Sequence, residues 1–256
     1  MTKKTVAIIG GGASGLFAAS KLSSDKFDVT IYEKNKTLGR KFLVAGDGGF
    51  NLTHSENIEE MISRYTPISF LKKSLQEFDN SFYSEWLAKI GISTFVGSSK
   101  RIFPKEGIKP IQVLNAIKSE LHENNVKFKF EETWIGWELD GSLNFLSDLS
   151  IKPDIVIFSL GGSSWKKTGS DGSWCSLFKQ KGIEVKPFRA SNCAYEVNWS
   201  SDFIQACEGE PLKNIAVRNE DKVVKGELVV TKFGLEGNAI YALSPEIRRA
   251  INVSKR

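Results

Sequence analysis

The sequence predicts an α/β fold built on a doubly wound parallel sheet, with a helical excursion and a β-rich insert. Three observations carry this. Thr5 to Ile9 is a continuous apolar run, as a strand buried on both faces requires. Gly10 to Gly15 then turns the chain into a helix over Leu16 to Ser23, and Phe27 to Tyr32 reads as the next strand, ending at Glu33. Far downstream, Ile155 to Leu160 is a second apolar run that ends in Gly161-Gly162.

The remaining elements follow in order. Gly39 to Thr53 reads as a glycine-rich loop. Leu71, Leu75, Phe78, Phe82, Trp86 and Ile90 keep near-helical spacing behind Pro67, and Gly91 stops that helix. Pro110 opens another helix, with Ile111, Leu114, Ile117 and Leu121 on one stripe. These helices make up the excursion, about residues 56–124. Val126 to Phe130 alternates as a strand does, and Trp134 to Leu146 suggests a hairpin with Asp140-Gly141 at its tip. A helix from about Gly172 to Gln180 ends at Gly182. After Pro187 the pattern changes. Ala194 to Trp199, Ile215 to Arg218 and Glu227 to Val230 read as strands, and Pro245 to Ile251 as a short helix. The expected boundary therefore lies near residue 189, with residues 1–189 as one domain and 190–256 as the β-rich insert, incomplete as it stands.

Composition narrows the function. With 41% hydrophobic and 25% charged residues, the 256-residue chain is that of an ordinary globular protein. Its net charge of +5 comes from scattered lysines, which reads as a solvated surface and not as a nucleic-acid face. The three cysteines, Cys175, Cys193 and Cys207, have no CxxC spacing, which argues for a reducing compartment and against a zinc ribbon. Two histidines, His54 and His122, exclude a multi-histidine metal site. No apolar run is long enough for a signal peptide or a membrane span, and the expected location is cytoplasmic.

The chemistry gathers at the glycine turn. Gly10-x-Gly12-x-x-Gly15 directly follows a strand and opens a helix, and Glu33 stands 18 positions after Gly15, near the ~20 of a dinucleotide-binding unit. Gly10 permits the tight turn, Gly12 lets backbone approach a pyrophosphate, and Gly15 lets the helix pack on the sheet. The helix start, through Ala13 and Ser14, offers N–H groups to phosphate. Glu33 suits a ribose diol and repels a 2′-phosphate; Lys34 follows it directly. Gly39-Arg40-Lys41 brings two cations toward the open edge of the cleft, and Gly46 to Thr53, including Gly48, Asn51, Leu52 and Thr53, can wrap closely around a flat ligand or form a solvated surface loop. Gly161 returns backbone to the same cleft, and Gly169 to Gly172 offers a cap for the next helix. Lys100 to Lys105 reads as a basic turn before a helix, and the six tryptophans as packing residues.

Together the stretches AIIGGGASGLFAA, YEKNKTLGRKFLVAGDGGFNLTHSE, RIFPKEG, DIVIFSLGGSSWKKTGSDG and GELVVTKFGLEGNAIYALS resemble the BaiN-like family of bacterial flavoproteins, NAD(P)/FAD-dependent oxidoreductases. The forms NLTHSE, SNCAYEV and GLEGNAIYALS look like those of a less studied branch of that family. The resemblance implies an FAD/NAD(P)-binding Rossmann-like domain, with FAD held by Gly10 to Gly15, Glu33, the Gly39 to Lys41 loop and the Gly48 to Thr53 loop. It also implies a flavin-side role for Arg101. Familiar members carry an Arg-Cys pair where this chain has Gly49-Phe50, so no role of that cysteine carries over. Members are also longer, and on this resemblance the family's C-terminal part is expected from a second polypeptide or is missing.

The leading expectation is thus an FAD-binding oxidoreductase, or its N-terminal portion, acting on a small reducible substrate with or without NAD(P)H. No second GxGxxG is present to hold a nicotinamide dinucleotide, and no catalytic side chain stands out. An NAD-dependent dehydrogenase and a non-catalytic FAD-binding fragment, one half of a complex, are the alternatives.

Overall fold

The structure, a computed structural model, describes residues 2–44 and 50–254. It divides into two compact units, Met1–Val185 and Lys186–Arg256. Residues 186–189 thus group with the second unit, slightly ahead of the boundary expected near 189.

In chain order the first unit contains β1 (Lys4–Ile9), α1 (Ala13–Ser20), β2 (Phe27–Glu33), α2 (Arg40–Leu43), β3 (Thr53–His54), α3 (Ile58–Ser63), α4 (Ile68–Glu77), α5 (Asn80–Lys89), β4 (Thr94–Val96), β5 (Arg101–Pro104) and α6 (Pro110–Glu123). Then come β6 (Lys127–Phe130), β7 (Trp134–Trp137), β8 (Leu143–Phe145), β9 (Ser150–Ile151), β10 (Ile155–Phe158) and α7 (Trp174–Gln180). The second unit contains β11 (Tyr195–Glu196), α8 (Ser201–Cys207), β12 (Pro211–Asn219), β13 (Lys222–Thr231), β14 (Gly234–Glu236), α9 (Asn238–Ala242) and α10 (Ser244–Ser254).

The main sheet has the order β10-β1-β2-β6, and every pairing in it is parallel. From β1 the chain moves outward through β2 to β6, then returns to the far side of β1 as β10. The order therefore reverses between β1 and β10, and such a switch point opens a crevice at the carboxyl ends of the two strands. The continuous apolar run of β1 has a direct cause. Val6 and Ile8 enter a core with Leu16 and Ala19 of α1, Leu87 of α5 and Val113, Leu114, Ile117 and Leu121 of α6. Ala7 and Ile9 point to the opposite face, where Trp134, Leu143 and Phe145 of the antiparallel β7-β8-β9 sheet cover them. From Val6 to Ile9 both faces are dry, so these four positions call for apolar side chains. Full burial of such a side chain contributes about 1.5–3 kcal/mol.

Three expectations for this unit change. The single helix expected from Leu71 to Ile90 is two, because the Asp79 carboxylate accepts the Phe82 N–H at 2.8 Å and starts α5 afresh. The Gly39 to Thr53 loop contains the short helix α2 and runs into β3. The basic turn at Lys100 to Lys105 is strand β5, the centre of a small antiparallel sheet between β3 and β4, with Ile102 and Pro104 buried on one side. Residues 45–49 fall outside the described residues, and the expectation for Gly48 lies there.

The second unit is an antiparallel sheet of order β11-β14-β13-β12 with a small core of Leu228, Val230 and Ile240. It is less purely β than expected. The strand expected from Ala194 to Trp199 shortens to β11, because Ser200 accepts the Phe203 N–H and turns the chain into α8. The strands expected at Ile215 to Arg218 and Glu227 to Val230 belong to the long β12–β13 hairpin.

Candidate nucleotide-binding site

The site begins where β1 ends. Gly10 has φ 108°, and a Cβ there would lie 2.3 Å from the Ser159 carbonyl oxygen, so a side chain cannot pass between β1 and the end of β10. At Gly15 a Cβ would lie 2.1 Å from the Gly10 carbonyl oxygen, which is the close approach that seats α1 on the turn. Gly12 is different. Its φ is −79°, and a Cβ there would meet nothing within 4 Å. The fold requires glycine at two of these positions, and at the third it leaves open space that a ligand can occupy. The first-turn N–H groups of α1 have no partner within their own helix, which makes the helix start a ready anion site.

Gly11, which the spacing did not single out, joins the parts. Its N–H donates to Glu33 Oε2 at 2.8 Å, and its carbonyl accepts the Gly39 N–H at 2.9 Å. Glu33 ends β2 and is 7% exposed. Its Oε1 accepts from the backbone N–H of Asn35 at 2.9 Å and from the Asn35 side-chain amide. The acid is therefore locked in place before any ligand arrives, and as a carboxylate it keeps acceptor capacity for a diol. Gly39, at φ 64°, starts α2, and Arg40 donates to the Asn35 side-chain oxygen at 2.8 Å.

These groups surround a cavity of about 490 Å³. Its walls contain Gly10, Gly12, Ala13, Ser14, Glu33, Lys34, Gly39, Arg40, Lys41 and Gly161, so the structure brings ten sequence-predicted residues to one place. Gly15 stands behind the turn as a packing glycine. Among the described residues, Asn51, Leu52, Thr53 and Arg101 are not in the cavity wall. They lie in or beside the small β3-β5-β4 sheet, where Thr53 pairs with Ile102 and His54 with Arg101.

The cavity also draws in residues read from sequence as structural. Asp171 and Ser173 line it, as do Trp134 and Trp174. The Trp174 indole N–H donates to the Gly161 carbonyl at 3.0 Å. Asp171 does not cap the helix: its Oδ1 accepts both the backbone N–H and the hydroxyl of Ser173, which tightens the turn ahead of α7. The Ser173 N–H above all, helped by the Ser173 hydroxyl and the Lys34 ammonium, holds the Asp171 carboxyl at about 2 despite partial burial. No spacing rule would have found these residues, because their approach depends on where the chain returns after β10. Among the described residues there is no group of three or more His, Cys, Asp or Glu side chains placed to hold a metal. Nor is any described helix long and apolar enough to cross a membrane.

A glycine turn of this geometry, beside a switch point in a parallel sheet, defines a nucleotide-binding protein of the Rossmann type. Residues 4–243 match the family described as HI0933-like protein Rossmann domain, and the chain belongs to that family. The resemblance to BaiN-like flavoproteins agrees with the curated relatives. The chain is 27% identical to the ribosomal RNA dihydrouridine synthase of Haemophilus influenzae, over 93% of this chain and 60% of that protein. It is 25% identical to the 3-dehydro-bile acid delta(4,6)-reductase of Clostridium scindens, over 98% of this chain and 62% of that protein. The chain thus spans about three-fifths of the length of these relatives. Among solved structures it is similar to THI4 of Thermovibrio ammonificans, 17% identical over 70% of this chain and 62% of that one, with a TM-score of 0.45.

Proposed function

We propose that the chain is the FAD-binding portion of an oxidoreductase that saturates an activated carbon–carbon double bond. The observation that supports it most is the pairing of Gly12, open to the cavity, with Glu33, locked by the Gly11 N–H at 2.8 Å in the same wall. Gly12, Ala13 and Ser14 would take the pyrophosphate and Glu33 the adenosine ribose, while Lys34, Arg40 and Lys41 would balance phosphate charge. The residues present fit this group: the open space at Gly12 admits a pyrophosphate that any Cβ would crowd. We place Asn51, Leu52, Thr53 and Arg101 on the flavin side.

When bound, a flavin supplies two-electron hydride chemistry, and the protein binds, orients and shields it. The reaction class comes from the relatives' names, a dihydrouridine synthase and a delta(4,6)-reductase, both of which imply hydrogen added across a double bond. NAD(P)H is the electron donor we assign. The named substrates differ, one a ribosomal RNA and the other a bile acid, so the substrate itself is not carried over.

The test is binding. Purified protein should bind FAD more tightly than FMN, which lacks the adenosine half, and ligand at 100 times its dissociation constant should stabilise the fold by about 2.7 kcal/mol. Stabilisation by NAD⁺ and not by FAD would replace this reading with a nicotinamide-dependent dehydrogenase. A substrate panel holding a conjugated enone and a uridine-containing RNA then tests the reaction class, and with it the expectation from charge that nucleic acid is not a partner.

A further inference from the structure

Two walls of the cavity come from distant parts of the chain and are tied together by lysines. One wall follows β2 and includes α2; the other is the segment between β10 and α7. Lys34 Nζ lies 3.1 Å from Asp171 Oδ2, and Lys41 Nζ donates to both the carbonyl and the hydroxyl of Ser164 at 3.0 Å. The walls also close in: a Cβ at Gly169 would lie 3.3 Å from Lys34 Cε and from Asn35 Nδ2. Lys34, Lys41, Gly169 and Asp171 all line the cavity. The two lysines that face an incoming anionic ligand are thus already engaged by the opposite wall.

We propose that residues 161–173 form a strap across the cavity, and that the Lys34–Asp171 ion pair gates nucleotide entry and exit. The inference rests on this cavity being the nucleotide site. The pair must break for a nucleotide to pass and re-forms behind it, the lysine ammoniums having further donors for the ligand phosphates, so the same opening limits entry and exit. Because Asp171 is held as a carboxylate by Ser173, the pair is present throughout the neutral range.

The test is the kinetics of FAD and of ADP binding to the full chain by stopped flow, for wild type and Asp171→Asn. Both lysines are retained in this variant, so association and dissociation should each accelerate about threefold, as a partly exposed pair allows, with the dissociation constant nearly unchanged. Molar salt should accelerate both rates in wild type and much less in the variant. The charge swap Lys34→Asp with Asp171→Lys should return the rates toward wild type. Unchanged rates in Asp171→Asn overturn the proposal, as does faster dissociation with unchanged association, which marks a ligand contact and not a gate. Should Asp171→Asn fail to fold, the wild-type salt dependence decides: salt-independent rates overturn the gate. ADP binding without FAD binding would sink the flavin reading and leave the gate testable with ADP.

Discussion

The backbone N–H of Gly11 donates to Glu33 Oε2 at 2.8 Å, tying the glycine turn after β1 to the acid that ends β2. Since the Gly11 carbonyl also accepts the Gly39 N–H, one residue holds three parts of the candidate site in register. The site is therefore preorganised by the protein's own hydrogen bonds.

Glu33→Gln tests that lock. A glutamine side chain has one oxygen where the carboxylate has two, so either the Gly11 N–H or the Asn35 donors would face an amide NH₂. A buried donor left unsatisfied costs about 1–3 kcal/mol, which should appear as a lower urea midpoint. The dissociation constant for FAD should rise on the order of tenfold. An unchanged midpoint would mean that Glu33 carries no structural load.

The three motif glycines should separate by phenotype. Gly10→Ala and Gly15→Ala drive a Cβ to within 2.3 Å and 2.1 Å of backbone oxygens, and should lower the thermal midpoint sharply. Gly12→Val places its side chain in open space, so stability should stay within about 0.5 kcal/mol of wild type while FAD binding is lost. Full flavin occupancy in Gly12→Val would move the pyrophosphate away from this turn.

Leu114→Ala probes the support beneath the second loop. Leu114 is buried in α6, and its methyl groups lie where a Cβ on Gly39 would come within 2.9 Å and 3.1 Å of them. Removing them should cost about 2–5 kcal/mol by chemical denaturation and weaken FAD binding through the Gly39 turn. Loss of stability with unaltered affinity would show that the turn does not depend on this packing.

Asp171 gives a pH dependence of definite sign. Its carboxyl is depressed from 3.8 to about 2 in the folded protein, so the stabilisation is complete above the unfolded value and is lost as pH falls through about 2. Urea midpoints of the wild type should fall between pH 4 and pH 2, and those of Asp171→Asn should fall less over the same window. Parallel curves would show that Asp171 gains nothing from its partners on folding.

Legibility varied with how local the cause was. The strand β1 could be read because burial on two faces demands the unbroken apolar run Val6 to Ile9, and β2 because Phe27, Val29 and Ile31 alternate ahead of Glu33. β5 escaped notice because Lys100, Arg101 and Lys105 masked its alternation, although Ile102 and Pro104, two apart, share a buried side. α3 and α8 are short, and they start at capping contacts by Asn57 and Ser200 that carry little hydrophobic periodicity. The break between α4 and α5 depended on one carboxylate, Asp79, inside an otherwise continuous apolar spacing.

By itself, the sequence determined the strand, the glycine turn, the helix and the acid at the end of the next strand. Each of these depends on neighbours within about one βαβ unit and on backbone freedom that glycine alone has. The tertiary structure decided what meets that unit across the cavity. Lys34 and Asp171 are 137 positions apart, and their contact depends on β10 pairing beside β1 and returning the chain to the same crevice. Periodicity and spacing describe faces of single elements, whereas this approach is a property of how the sheet is ordered.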